Sequence, residues 1–265
     1  MMQSDTFNPF RIIPVLLLEQ GRLVKTTRFA KPSYVGDLVN SVRIFNEKEV
    51  DELAILDIGA SKRGQTPNFE LIKEITDECF MPLAYGGGIT DVAHVRRLVE
   101  MGVEKVVINS AAMVRPEFVT EAAMAVGSQS VVVSIDVKKG LFGGYGARAV
   151  SGSRKVEAAS VPALVERMVQ AGAGEILLNN IDRDGTLLGY DHELLRLVTA
   201  ATSVPVISCG GARDVSDLVL AAAQSGAAAC AAGALFTYRG PHRAVLLSYP
   251  RPAEVNAALK ATTPP

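Results

Sequence analysis

The chain has 265 residues, 48% of them hydrophobic, enough to bury a large core without help from disulfides or metals. Its 27 basic and 28 acidic residues almost cancel, which speaks against a nucleic-acid or membrane-surface binder, since both need a positive excess. Three cysteines without metal-ligand spacing and three scattered histidines give no framework for disulfides or a metal site, so neither a metal nor a cofactor is expected. No run of about 18 apolar residues occurs, and the opening MMQSDTFNPF is too polar for a signal peptide, so the expectation is a soluble, cytoplasmic protein.

Along the chain, short β-branched runs alternate with stretches of helical period. The candidate strands are 11–18, 52–57, 82–85, 105–109, 131–136, 175–179, 206–209 and 228–231. Helical periods fall at 68–78, 92–101, 116–125, 161–171, 192–201 and 215–225. The strands are nearly continuous in apolar residues, the pattern of parallel strands buried on both faces. Eight strands with helices between them and no linker predict one domain over 1–265, an α/β fold that is either a closed (β/α)8 TIM barrel or an open doubly wound sheet. An internal repeat decides for the barrel. Glu52 corresponds to Glu175 and Gly87 to Gly210, both pairs 123 residues apart, as a two-fold half-barrel duplication would leave. The barrel core is placed at about 11–236, with an atypical, proline-containing tail over 237–265.

In such barrels the functional groups stand at the C-terminal ends of the strands. Gly86, Gly87 and Gly88 with Asn109 and Ser110 form one candidate anion cradle; Gly210 and Gly211 with Gly233 and Ala234 form a second across the mouth. Either glycine pair alone could merely close a tight turn, but recurrence at the repeat spacing points to a ligand with a phosphate, or another anionic group, at each end. Asp136 ends an apolar strand and reads as a general acid or base rather than a helix cap. Asp57 and Asp184, the latter in the run Asn179 to Gly185, are similar but have more polar neighbours. The segment 19–37 carries Lys25, Thr26, Thr27 and Arg28, and reads either as a mobile lid bringing a cation to a phosphate or as a solvated loop. At the other end, Arg11, Glu52, Lys105 and Glu175 each open a strand. Charges there must pair with one another, and a ring of two cations and two carboxylates is either a structural plug or a gate for something small.

These residues resemble a known family. RIIPVLLLEQGRLVK, VDELAILDI, YGGGITD, VEKVVINSAA, GSQSVVVSIDVKK, GAGEILLNNIDRDGTLLGYD and SCGGARD match the cyclase subunit of imidazole glycerol phosphate synthase from about Arg11 to Phe236. The resemblance implies a barrel with a glutaminase subunit at its bottom, whose ammonia passes through a charged gate to a bisphosphorylated substrate at the top. It assigns Arg11, Glu52, Lys105 and Glu175 to the gate, the two cradles to the phosphates, Lys25 to the lid and Asp136 to one of two catalytic aspartates. The second aspartate is missing: where the family reads like CLDVKDGR, this chain has VLLLEQGR, with Leu17 at the aspartate's position. Glu19, two residues on and facing the same way, is a displaced substitute. Cys209 and Asn179 are further departures, where the family commonly has serine and threonine.

Loss of that carboxylate makes the chain similar to a branch associated with amidation of surface-polysaccharide sugars. There the barrel and its glutaminase are thought to feed ammonia to a third, sugar-amidating enzyme. The sequence reading therefore carries three functions. First comes an ammonia-conducting subunit for sugar amidination, second a working cyclase of histidine biosynthesis in which Glu19 compensates, and third a non-catalytic activator of the glutaminase.

Overall fold

The apolar runs pair in parallel and close on themselves. The structure, a computed structural model, describes residues 10–140 and 143–262. Its barrel strands are β1 (Arg11–Glu19), β2 (Leu53–Asp57), β3 (Leu83–Gly86), β4 (Lys105–Ile108), β5 (Val131–Lys139), β6 (Glu175–Asn180), β7 (Val206–Cys209) and β8 (Ala229–Ala232). Each pairs in parallel with the next, and β8 returns to β1 with Ala229 opposite Arg11, so the ring is closed. A helix follows every strand: α1 (Leu38–Glu47), α2 (Phe69–Glu78), α3 (Val92–Glu100), α4 (Glu117–Val126), α5 (Val161–Gln170), α6 (His192–Thr199), α7 (Val215–Ser225) and α8 (Pro252–Thr262). This is the eight-fold βα barrel expected, with β1–β4 and β5–β8 as its halves. Among the described residues no helix is long and apolar enough to cross a membrane.

Strand alternation sorts the core into two shells. Ile12, Leu16 and Leu18 face outward and pack under the helices with Phe45 and Phe118. Ile13, Val15 and Leu17 face inward, where Val107, Val132, Leu177 and Ile207 meet Ala54, Ala84, Ala229 and Ala231. Helix starts are fixed chemically: Asp37, Asn68, Asp91, Ser160, Asp191 and Asp214 each accept a backbone N–H from the first turn that follows. Those caps set where each loop over the mouth ends.

Three segments differ from the sequence reading. The stretch 19–37 is no irregular loop: β1 turns into an antiparallel hairpin, Arg22–Thr27 against Ala30–Gly36. Strand β5 runs past Asp136 to Lys139 and pairs antiparallel with Tyr145–Ala149, which pairs in turn with Arg154–Lys155. The core ends in a short helix, Ala234–Thr237, and the tail holds a small strand pair, Tyr238–Arg239 with Ala244–Val245, and α8. Helices α1 and α8 complete the ring of eight where the sequence offered six.

Candidate functional site

At the bottom, the inward residues of the strand starts are the four charges. Arg11 donates to Glu52 through Nη1 and to Glu175 Oε1 through Nη2 at 2.8 Å. Lys105 Nζ donates to Glu52 Oε2 at 2.9 Å and to both oxygens of Glu175 at 3.2 Å. Cation and carboxylate alternate round a closed, neutral ring, the arrangement under which buried charges are tolerated. Burial works against the Arg11 charge, but Glu52 and Glu175 more than offset it and hold its pKa above the ordinary value.

At the top lies a cavity of about 510 Å³. Leu17, Lys25, Asp57, Gly87, Gly88, Asn109, Ser110, Asp136, Asn179, Asp184 and Gly233 all line it, together with Cys209. Sequence-distant residues named at the strand ends are thus brought into one chamber. Gly185, Gly210, Gly211 and Ala234 are not among them; they line a separate void of about 10 Å³ with Asp184 and Gly233. Glu19 stands outside both, in the turn where it pairs with Arg22, so the chain leaves the mouth before its carboxylate reaches it.

Asp136 is 7% exposed, and burial first, then the charge of Asp184, pushes its carboxyl up to about 7; a hydrogen bond from Asn179 pulls the other way. Asp184 is likewise raised by burial, with Lys25 and the Thr26 hydroxyl, at 3.3 Å, opposing. Burial, most of all, lifts the Cys209 thiol to about 12, so it stays neutral. Opposite Asp136, where a second carboxylate would be needed for paired acid–base work, β1 presents the Leu17 side chain, itself buried.

Other predicted residues are occupied within the fold. Asp57 Oδ1 accepts from the backbone N–H groups of Gly59 and Ala60, both at 2.9 Å, which ties it to the turn that follows β2. Asn109 Nδ2 donates to Ser134 O at 2.9 Å and reaches Asp136 Oδ2 at 3.4 Å. The Ser110 hydroxyl donates to Asn109 Oδ1 and accepts from Val150 N at 3.0 Å. Gly87 has φ of +119°, and a Cβ there would lie 2.4 Å from Asp57 O; no other residue fits. Phe29, Lys62, Thr66, Arg115, Val150 and Ser151 also line the cavity and were not picked from sequence. Lys62 stands on the short helix Ala60–Arg63 and the others on turns and connecting segments, and neither motif nor periodicity marks them.

Comparison with known proteins adds the family. The model described as "Histidine biosynthesis protein" matches residues 11–241. The chain is 48% identical over 240 residues (91% of it, 95% of the relative) to a Pseudomonas aeruginosa protein provisionally named imidazole glycerol phosphate synthase subunit hisF2. It is 44% identical over 247 residues (93% and 97%) to a Leptospira borgpetersenii protein provisionally named imidazole glycerol phosphate synthase subunit HisF. To the imidazole glycerol phosphate synthase subunit HisF of Alkaliphilus metalliredigens it is 40% identical over 228 residues (86% and 90%).

Proposed function

The chain belongs to the histidine biosynthesis protein family of imidazole glycerol phosphate synthase subunits, and from that premise we propose that it conducts ammonia without being a cyclase itself. A glutaminase subunit docks at the barrel bottom and releases ammonia under the ring of Arg11, Glu52, Lys105 and Glu175. The molecule passes the apolar interior to the top chamber and leaves for a third enzyme that amidinates a surface-polysaccharide sugar. The observation that carries this reading is Leu17. The ring below it is complete, whereas ring closure and fragmentation at the top need two proton-handling groups, and a buried leucine facing Asp136 handles none.

One observation favours the second reading, a working cyclase. Burial and, after it, the charge of Asp184 push the Asp136 carboxyl up to about 7, a value suited to an acid–base group near neutral pH. The two are separated by supplying the purified barrel with excess ammonium salt and the ribonucleotide substrate of the cyclase, and following substrate loss. The expected result is no turnover by the unmodified chain and measurable turnover by Leu17→Asp. Turnover by the unmodified chain that Asp136→Asn abolishes would overturn the proposal in favour of the cyclase.

A further inference from the structure

Neither the ring nor the chamber uses the segment that follows β8. The chain has no Asp or Glu between Asp217 and Glu254, while Arg239, His242, Arg243 and Arg251 all fall after β8. The strand pair Tyr238–Arg239 with Ala244–Val245 presents this run at the mouth, because it follows directly on the short helix capped by Gly233, a chamber-lining residue. Arg243 fixes it there. Its guanidinium lies 4.7 Å from the centre of the Tyr238 ring, and Nη2 donates to Gly185 O at 2.8 Å, in the turn after β6. Arg28, at the tip of the hairpin over 22–36, leans on the same turn, with Nε donating to Asp182 O at 3.1 Å. The Asp182 carboxylate itself accepts from Lys139 N at 2.8 Å. Both arginines are thus anchored by backbone carbonyls rather than carboxylates, which leaves their charge uncompensated. Among the described residues Arg239 and Arg243 make no ion pair; Glu254 pairs with Arg251 at 3.5 Å and feels Arg239 from further off.

Among these cations the chain leaves large apolar side chains in water. Val245 is 50% exposed and Leu246 59%, and Leu188, in the turn that carries Gly185, is 62% exposed. Aliphatic side chains rimmed by arginines are the make-up of a protein interface rather than of bare surface. The other end of the barrel has the opposite sign. The helix ends and turns that lead into β2 and β4 expose Glu47, Glu49, Glu100 and Glu104, with Lys48 among them. The turns into β5–β8, over 127–130, 171–174, 200–205 and 226–228, have no charged residue. An acidic partner is therefore repelled from the bottom and drawn to the mouth.

We propose that the strand pair over 238–245, with Leu246, Leu188 and Arg28 beside it, is the docking surface for the third enzyme of the ammonia-conduction reading, and that this enzyme meets it with an acidic surface around an apolar patch. The partner's activity rests on that reading; the sign and the place of the surface rest on the structure. A partner seated here stands beside the chamber from which ammonia leaves, while the bottom stays free for the glutaminase. The difference in sign between the two ends sorts the two partners, so that neither takes the other's place. A second copy of this chain has an acidic bottom to offer, but in the working complex that face lies under the glutaminase.

Reconstitution of the full chain with the glutaminase and the sugar-amidating enzyme tests this, with Arg239→Glu, Leu246→Asp and their combination as variants. The thermal midpoint of each variant reports that it is folded. By surface plasmon resonance the combined variant binds the amidating enzyme at least about tenfold more weakly, and binding of the unmodified chain weakens as salt rises from about 0.05 to about 0.5 M. Glutamine-driven amidination falls with the affinity, while glutamine hydrolysis and amidination driven by added ammonium salt stay unchanged. Glu104→Lys, at the other end, leaves the affinity for the amidating enzyme as it is. Variants that bind and couple like the unmodified chain overturn the proposal, as do salt-independent binding and loss of binding in Glu104→Lys. A dimer of the chain on its glutaminase that the same variants dissolve also overturns it, because the occupant is then a second copy. No glutamine-driven amidination even with the unmodified chain is the failure of the ammonia-conduction reading, and it takes this partner with it. Equal, active coupling by the chain and its variants is the failure of the docking surface alone.

Discussion

Leu17 and Asp136 face each other across the mouth and set its proton chemistry between them. An ordinary aspartate titrates at about 4, and burial pushes the Asp136 carboxyl up to about 7. Between those values the folded protein keeps a proton that the unfolded chain has released, so stability falls as pH rises from about 4 to about 7 and levels off above that. Asp136→Asn removes the effect with little change of shape. Its thermal midpoint is expected to match the unmodified chain at about pH 4 and to exceed it by a margin that grows up to about pH 7 and is constant above, followed by circular dichroism. A gap independent of pH would mean that the carboxyl does not titrate in that range. The sequence made Asp136 legible, since one carboxylate after VVVSI stands out. It did not make the unpartnered Asn179 Oδ1 or the burial of Lys25 against Gly233 legible, because whether a side chain is left without a partner depends on packing from several distant segments.

Elements show the same division. The eight strands and six of the helices follow from apolar period, because parallel strands buried on both faces leave continuous runs. The hairpin over 22–36 is hidden because its two-residue turn is Arg28-Phe29, both at positive φ, where Asn-Gly would have announced it. Tip residues Val150 and Ser151 of the other hairpin are left-handed too, an uncommon state for a β-branched residue. Helix α8 and the segment before it had no reading in the sequence, yet they lock the barrel bottom. The Tyr249 hydroxyl donates to Ile12 O at 3.1 Å and accepts from Asp51 N at 3.2 Å, while its ring tilts against Phe236 with centroids 5.7 Å apart. Tyr249→Phe keeps the ring and leaves both backbone groups without that partner. It is expected to cost about 1–2 kcal/mol, read as a lower urea midpoint at unchanged slope.

At the scale of the molecule, the bottom ring joins the two halves. Arg11, Glu52 and Lys105 come from the first half and Glu175 alone from the second, so both of its ion pairs cross between halves. Removing one member of a buried group costs more than removing all of it, because the partners keep their desolvation penalty. Glu175→Gln should therefore destabilise by roughly 3 kcal/mol, the low end of the usual range for breaking a buried pair, since Arg11 keeps 31% of its side chain in water. Replacing all four, Arg11→Met, Glu52→Leu, Lys105→Met and Glu175→Leu, should recover most of that loss in urea denaturation. If the ring is only a plug, the four-fold variant will serve as well as the unmodified chain in every assay. If it is a gate, that variant will fold and bind the glutaminase, but more of the ammonia formed per glutamine hydrolysed will escape to the medium. A stable protein that loses coupling would show that the charges are kept for what passes between them, because packing alone is met equally well by methyl and methylene groups.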